Sequence, residues 1–216
     1  FLTSAGIKTD YFNSLINEKV NEIDPKIKLK LNQVNFKLNL SSFEFEIFTL
    51  DPQILINEKK VDLEIIKSDL NLLDYFNNKN PISEISIISK ESNIDQFTDF
   101  INEYDFNLAR NLIFKQIKKG KVKIISNINF NENNPQDIKY IINGYVKDAE
   151  IKLLNKSKIE NIKFNFFVDQ DFVKLNKIEL AFDKIFVTSE KVNIKKINNY
   201  FNISGNFKTN KTKINL

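Results

Sequence analysis

The sequence predicts an α+β protein that is mostly antiparallel β-sheet, with an N-terminal amphipathic helix and a central helical pair. Residues 26–67 and 121–216 alternate apolar and polar side chains with the period of two that is typical of half-buried strands. Residues 9–24 and 93–119 instead repeat apolar side chains at helical spacing. We therefore expect a curved, strongly twisted sheet that forms a groove, in a single domain covering residues 1–216. Because the chain begins with Phe1 and not with Met, we interpret it as a fragment of a longer chain.

The amphipathic helix is expected over residues 9–24. Thr9 or Asp10 can cap its first turn, and Asp24-Pro25 ends it, because the residue before a proline avoids helical conformation. Apolar residues of this segment recur at helical spacing and form one face: Phe12, Leu15, Ile16, Val20 and Ile23.

Short strands joined by tight turns are expected on both sides of the central helical pair. In residues 26–67 the alternating runs are interrupted at Asp51-Pro52 and at residues 57–60, where turn-forming residues cluster. Residues 121–216 repeat a unit of strand, polar turn and strand without helical interruption, as at residues 169–171. This segment is therefore predicted to form a β-meander.

The central helical insertion is expected over residues 93–119, as two helices broken near Tyr104-Asp105. Lys118 and Lys119 would complement the negative end of the second helix, and Gly120 would adopt the left-handed conformation that ends many helices. The apolar stripe of the insertion comprises Ile94, Phe97, Ile101, Leu108, Leu112, Ile113 and Ile117.

The composition excludes most catalytic and metal-binding chemistry. The 216-residue chain contains no Cys and no His, which removes thiolate nucleophiles, Ser-His and Cys-His catalysis, and nearly all zinc sites. The neighbouring carboxylates of Asp169 and Asp171 are not followed by the Gly-containing loop that calcium sites use. We therefore expect no enzyme activity, no metal and no cofactor.

The charge pattern argues against a nucleic-acid partner. The net charge of +4 arises from lysines that are spread along the chain and interleaved with Asp and Glu, as on solvated strand and helix faces. Arg110 is the only arginine and Trp is absent. Side chains that hydrogen-bond to base edges or bind phosphate through two parallel hydrogen bonds are therefore scarce.

The alternating apolar faces are the largest feature of the sequence, and they have two interpretations. In the first, they pack together in an ordinary closed core. In the second, one face is incompletely covered and binds the acyl chains of lipid, since uncovered apolar patches otherwise reduce solubility. The candidate lipid-groove residues are apolar side chains on the predicted strands: Phe36, Leu38, Leu40, Phe43, Phe45, Ile47, Ile54, Ile56, Leu63, Ile65, Ile124, Ile128, Phe130, Ile142, Val146, Ile151, Leu153, Phe164, Phe166 and Val168.

Several stretches resemble the AsmA-like superfamily, which includes the envelope proteins of TamB and YhdP type. Residues 144–153, GYVKDAEIKL, are similar to the G-x-V-x-D-A-x-I stretches of these proteins. Residues 82–87, ISEISI, resemble the family's I-x-x-I-x-I strand, and residues 29–36, LKLNQVNF, resemble its first β-hairpin. Residues 7–17, IKTDYFNSLIN, resemble the amphipathic helix that follows the family's membrane anchor. The resemblance covers most of the chain and corresponds to the N-terminal region of the family.

This resemblance implies a β-taco-like groove that binds or conducts phospholipid between the inner and outer membranes, in outer-membrane biogenesis. It also implies an anchor in the bacterial inner membrane upstream of Phe1, a periplasmic body, envelope protein partners and no catalytic residues. The helical insertion at residues 93–119 departs from the family pattern. The alternative function is that of a structural or adhesion domain, a closed β-sandwich that displays polar faces to a protein partner.

Overall fold

The structure is a computed structural model. It describes residues 17, 20–21, 25–39, 44–56, 59–71, 74, 76–77, 82–97, 117–130, 138–152, 157–170, 172–183, 185–197 and 200–210. The described residues are nearly all antiparallel β-sheet, with 81% in strands and 7% in helix. The architecture therefore depends on strand pairing.

The predicted α+β class, with an N-terminal amphipathic helix and a central helical pair, is wrong. Of the helix expected over residues 9–24, only Asn17, Val20 and Asn21 are described, and they are helical; the remainder lies outside the described residues. Of the pair expected over residues 93–119, residues 94–97 form a short helix and residues 98–116 lie outside the described part. From Ile117 onward the chain is a long strand, β8 (Ile117–Phe130), where the second helix was expected to end.

Gly120 gives the physical reason for the error at the end of the insertion. Its φ of 131° is far from the left-handed helical value, and the residue lies within β8. A Cβ atom here would lie 2.8 Å from the Cα atom of Ala149, so glycine permits a close approach of two backbones. Lys119, expected to complement a helix dipole, instead forms an ion pair with Glu150 at 3.5 Å.

The chain forms two compact units. The first comprises Phe1–Lys90 and Ile125–Tyr140, and the second comprises Glu91–Ile124 and Ile141–Leu216. Both β8 and β9 (Ile138–Lys152) therefore contribute residues to each unit. The expectation of one domain within a longer chain stays a prediction.

The first unit is built around β5 (Lys59–Asn71). β3 (Glu44–Leu50) and β4 (Gln53–Ile56) pair with successive halves of one of its edges, and β6 (Ile82–Ser89) pairs with the other. β1 (Ile27–Lys30) adds to β4, β2 (Val34–Asn39) adds to β3, and residues 125–129 of β8 add to β6.

The second unit is a succession of long antiparallel strands. Residues 141–152 of β9 are followed by β10 (Lys158–Val168), β11 (Phe172–Phe182) and β12 (Ile185–Ile197), each hydrogen-bonded to the next. β13 (Tyr200–Gly205) and β14 (Lys208–Thr209) pair with successive parts of β12, and β7 (Ser92–Asn93) pairs with β8. Strands of 11 to 13 residues, as in β10 to β12, are about twice the usual length.

Bulges keep the apolar residues of these long strands on one face. In the sequence, the apolar alternation shifts by one residue at Lys147-Asp148 in β9, at Glu160-Asn161 in β10 and at Asn176-Lys177 in β11. Each shift coincides with a break in pairing register and with a residue at positive φ: Asp148 at 54°, Asn161 at 53° and Lys177 at 51°. Because two bulge residues oppose one partner residue, the alternation on either side stays in phase with the neighbouring strand.

The bulge at Lys177 gives a prediction about stability. A lysine in the left-handed region is strained, whereas glycine adopts it freely, so Lys177→Gly should stabilise the fold by about 0.5–1 kcal/mol. Lys195→Gly, in a regular part of β12, should instead destabilise it by a similar amount because glycine weakens a regular strand. Urea unfolding followed by circular dichroism measures both changes. A loss of stability in Lys177→Gly equal to that in Lys195→Gly would contradict the role assigned to this bulge.

Candidate functional site

One face of the second unit is almost entirely apolar, and we call it the second apolar face. Directly paired residues project to the same side of a sheet, so the register of β9 to β12 defines its members. They are Ile142, Gly144, Val146, Ala149, Ile151, Ile159, Ile162, Phe164, Phe166, Val168, Val173, Leu175, Ile178, Leu180, Phe182, Ile185, Val187, Ser189, Val192 and Ile194. Ser189 is the only one with a polar side chain.

Burial on the second apolar face is uneven. A band beside the bulges is buried, and it includes Val146, Ala149, Ile162, Ile178 and Val192. Away from this band the apolar side chains are half-buried, as in the row from Ile142 through Val168, Val173 and Ile194. In the described part of the chain, the face therefore has a covered centre and open flanks.

The exposed fraction rises towards the edge strand β13. Ile203 pairs directly with Ile194 and so extends the same apolar row, yet 66% of it is exposed. Phe182, at the end of β11, is 37% exposed. The row from Ile142 to Ile203 is therefore most accessible at its β13 end, and Phe182 belongs to a separate row with Ile159 and Ile185.

The first unit has an equivalent surface, the first apolar face. One of its rows crosses five strands through Phe36, Ile47, Ser68, Ile85 and Ile128, and the adjacent row projecting to the other side is polar: Lys37, Glu46, Asp69, Glu84 and Asn129. The next apolar row is buried at Val34, Thr49 and Ile66, whereas Phe36, Ile85 and Ile128 are half-buried. This face therefore also combines a buried row with partly open neighbours.

Most of the candidate lipid-groove residues lie on these two faces. Phe36, Phe45, Ile47, Ile54, Leu63 and Ile128 belong to the first, and Ile142, Val146, Ile151, Phe164, Phe166 and Val168 belong to the second. Ile124 and Phe130 are half-buried residues of β8. Leu40, Phe43 and Leu153 lie outside the described residues, and for Leu38 and Ile56 only the backbone is described.

Ile65 lies on the opposite side of the sheet from the first apolar face. The pairing of β5 with β6 shifts between Leu63 and Ile65, so the bulge at Glu64 moves the apolar alternation from Leu63 to Ile66. Ile65 therefore shares its side with its partners Leu50 and Ile88. The adjacent pair of isoleucines at 65 and 66 is the sequence signal of this shift.

The sequence-based candidates omitted the contribution of β11 and β12. Val173, Leu175, Val192 and Ile194 belong to the second apolar face as fully as the residues chosen on β9 and β10. Their alternation is visible in the sequence, but the change of phase at Asn176-Lys177 makes one long strand look like two short ones.

A charged cluster lies on the opposite side of β9 from the second apolar face. The Glu91 carboxylate contacts the Lys147 ammonium at 2.5 Å and the Lys121 ammonium at 3.5 Å, and it accepts a 2.8 Å hydrogen bond from the Tyr145 hydroxyl. The hydrogen bonds from Lys147 and Tyr145 lower the pKa of Glu91 to about 2. The hydrogen bond to Glu91 raises the pKa of Lys147 and of Tyr145. The cluster ties the segment before β7 to β8 and β9.

The described residues show no group of three or more carboxylates that could hold a metal ion. Within the described ranges, no helix has both the length and the apolar character needed to cross a membrane. The groups that could contact a ligand in the described part are therefore the apolar faces, lysines, carboxylates in ion pairs and side-chain amides.

The architecture defines an antiparallel β protein whose long strands present one apolar and one polar face. Comparison with protein-family models, with curated proteins and with solved structures finds no match to this chain. Interpretation of its function therefore depends on the geometry and chemistry of the two faces.

The Glu91 cluster predicts a specific pH dependence. Because the folded-state pKa of Glu91 is depressed, its contribution to stability is complete above the unfolded value near 4.5 and is lost as the pH falls towards about 2. Glu91→Gln should therefore be less stable than the parent at neutral pH, and the difference should vanish between pH 4.5 and 2. Thermal unfolding across this range measures the difference. The exposed Glu190 of β12 provides a control. The stability difference between Glu190→Gln and the parent should not change in this way as the pH falls.

Proposed function

We propose that this chain is a non-enzymatic domain of a bacterial envelope protein that binds or conducts phospholipid on its apolar sheet faces. The observation that carries the proposal is the second apolar face, with its buried centre and half-buried flanks. The resemblance of residues 144–153 to AsmA-like proteins supports the same function, and this segment supplies Val146, Ala149 and Ile151 to that face.

Acyl chains match this face in chemistry and shape. Each buried methylene of a lipid chain contributes about 0.8 kcal/mol, so a chain lying along several strands gains substantial binding free energy without any polar anchor. Branched and aromatic side chains such as Ile194, Val173 and Phe164 supply the contact surface. The lysines and amides of the opposite side face water and maintain solubility.

The cellular setting is part of the same proposal. We place the domain in the periplasm, anchored to the inner membrane upstream of Phe1 and engaged with envelope protein partners during outer-membrane biogenesis. This setting rests on the AsmA-like resemblance. No nucleic acid is proposed as a partner, because interleaved lysines and carboxylates do not form a continuous basic surface.

Photocrosslinking tests which face contacts lipid. Ile194 and Lys195 are neighbours on β12 that project to opposite sides, the first half-buried on the second apolar face and the second exposed. p-Benzoylphenylalanine at position 194 should crosslink phospholipid in cells, and the same residue at position 195 should not. Mass spectrometry of the purified adducts identifies the lipid.

Equal crosslinking at both positions, or none at position 194, would contradict the assignment of this face to lipid. If the purified domain also carried no phospholipid, the structural or adhesion alternative would account better for the chain.

A charge on the apolar face should remove bound lipid. Ile194→Glu places a carboxylate where an acyl chain would lie, and it should lower copurified phospholipid roughly tenfold, since one large apolar contact is lost and a charge must be desolvated. Lys195→Glu makes a larger charge change on the opposite side and should leave the lipid content unchanged. Quantitative lipid extraction measures both, with circular dichroism to confirm folding.

A further inference from the structure

The polar side of the second unit contains a cavity of about 380 Å³ between β9, β10 and β11. Six of its eight described lining residues are Asn143, Asn165, Phe167, Phe172, Lys174 and Asn176. The register places Asn143, Phe167 and Lys174 in one row and Asn165 beside Asn176 in the next, all on the side opposite the second apolar face. The other two lining residues, Gly144 and Phe166, belong to the second apolar face.

Two aromatic rings form one wall of the cavity. The centroids of Phe167 and Phe172 are 5.4 Å apart, and the ring planes are inclined by 24°, so the rings are stacked. The turn before β11 fixes Phe172, because its backbone N–H donates a 2.8 Å hydrogen bond to the Asp169 carboxylate. These rings are half-buried on a side that is otherwise mainly polar, where an apolar core gives no reason for them.

Side-chain amides surround the aromatic pair. Asn143, Asn165 and Asn176 line the cavity, and their side chains make no hydrogen bond to the described residues. Lys174 supplies one positive charge and likewise forms no ion pair with the described part of the chain. Among the described residues, no carboxylate lines the cavity. The site thus offers an apolar platform, a rim of donors and acceptors, and one cation.

We propose that this cavity binds an acidic sugar unit of a glycan. The C–H face of a pyranose ring stacks on an aromatic ring, its hydroxyls hydrogen-bond with the asparagine amides, and its carboxylate pairs with Lys174. The cavity volume lies within the range of small-ligand sites. An acyl chain fits poorly, because it would leave three amides and an ammonium group desolvated without partners.

Titration of the ¹⁵N-labelled chain with glucuronate and with glucose tests the proposal by NMR. The two probes share a ring and differ in the carboxylate. Glucuronate should shift the side-chain amide signals of Asn143, Asn165 and Asn176 and bind at least threefold more tightly than glucose. Lys174→Gln should abolish this preference while leaving weak binding of both sugars.

The second part of the test replaces the aromatic ring of Phe167. Phe167→Leu keeps the apolar volume and should weaken glucuronate binding about three- to tenfold, the loss of one aromatic contact. Phe186→Leu is the matched control, since Phe186 is an exposed phenylalanine on the same side but outside the cavity. The proposal is overturned if neither sugar shifts these amides, if glucose binds as tightly as glucuronate, or if Phe186→Leu weakens binding equally. Should Phe167→Leu fail to fold, the Lys174→Gln comparison still decides.

Discussion

A single extra residue in a strand transfers every following side chain to the opposite face of the sheet. Strands as long as β9 to β11 can therefore keep one apolar face only if each change of phase is absorbed locally. The bulges at Asp148, Asn161 and Lys177 do this, and they lie on three consecutive strands. Because Val146 and Ala149 remain on one face across the first bulge, their apolar partners on β10 lie beside them on the same face, and both proposed binding surfaces depend on that alignment.

This alignment has a consequence for solubility and stability. Of the second apolar face, only the band beside the bulges is well buried, while Ile142, Val173 and Ile194 remain half-buried. Full burial of such side chains would stabilise a protein by about 1.5–3 kcal/mol each, so their partial exposure leaves free energy that a ligand can recover. The opposite side offers ion pairs such as Lys147 with Glu91, which stay in contact with water. The same strands thus separate a surface that favours hydrocarbon from one that favours water.

The sequence predicts the strands well because a period of two is a local signal, and the antiparallel ladders occur where the alternation is regular. It fails where the deciding contact is distant in sequence. Gly120 fits a helix cap locally, and only the proximity of Ala149 explains it as a strand residue. Likewise Ile65 follows the parity of Leu63, and although the adjacent Ile66 signals a change of phase, the pairing with β6 decides which of the two isoleucines shares the face of Leu63. The sequence therefore predicts which apolar residues lie on strands. It does not predict to which side of the sheet each one projects, because the pairing register with neighbouring strands determines that side.

β10 contributes residues to both of the proposed binding surfaces. Phe166 projects to the second apolar face, beside Gly144 and Leu175, and Phe167 projects to the cavity on the polar side. Adjacent side chains of a strand project to opposite sides of the sheet, so the two rings lie in different surroundings although their residues are neighbours in the chain. In the two proposals, the acyl chain contacts the side of the sheet to which Phe166 projects, and the sugar contacts the side to which Phe167 projects. For binding on one side to affect binding on the other, the pairing register of β10 would have to shift. Hydrogen bonds to β9 and β11 hold that register on both edges of β10.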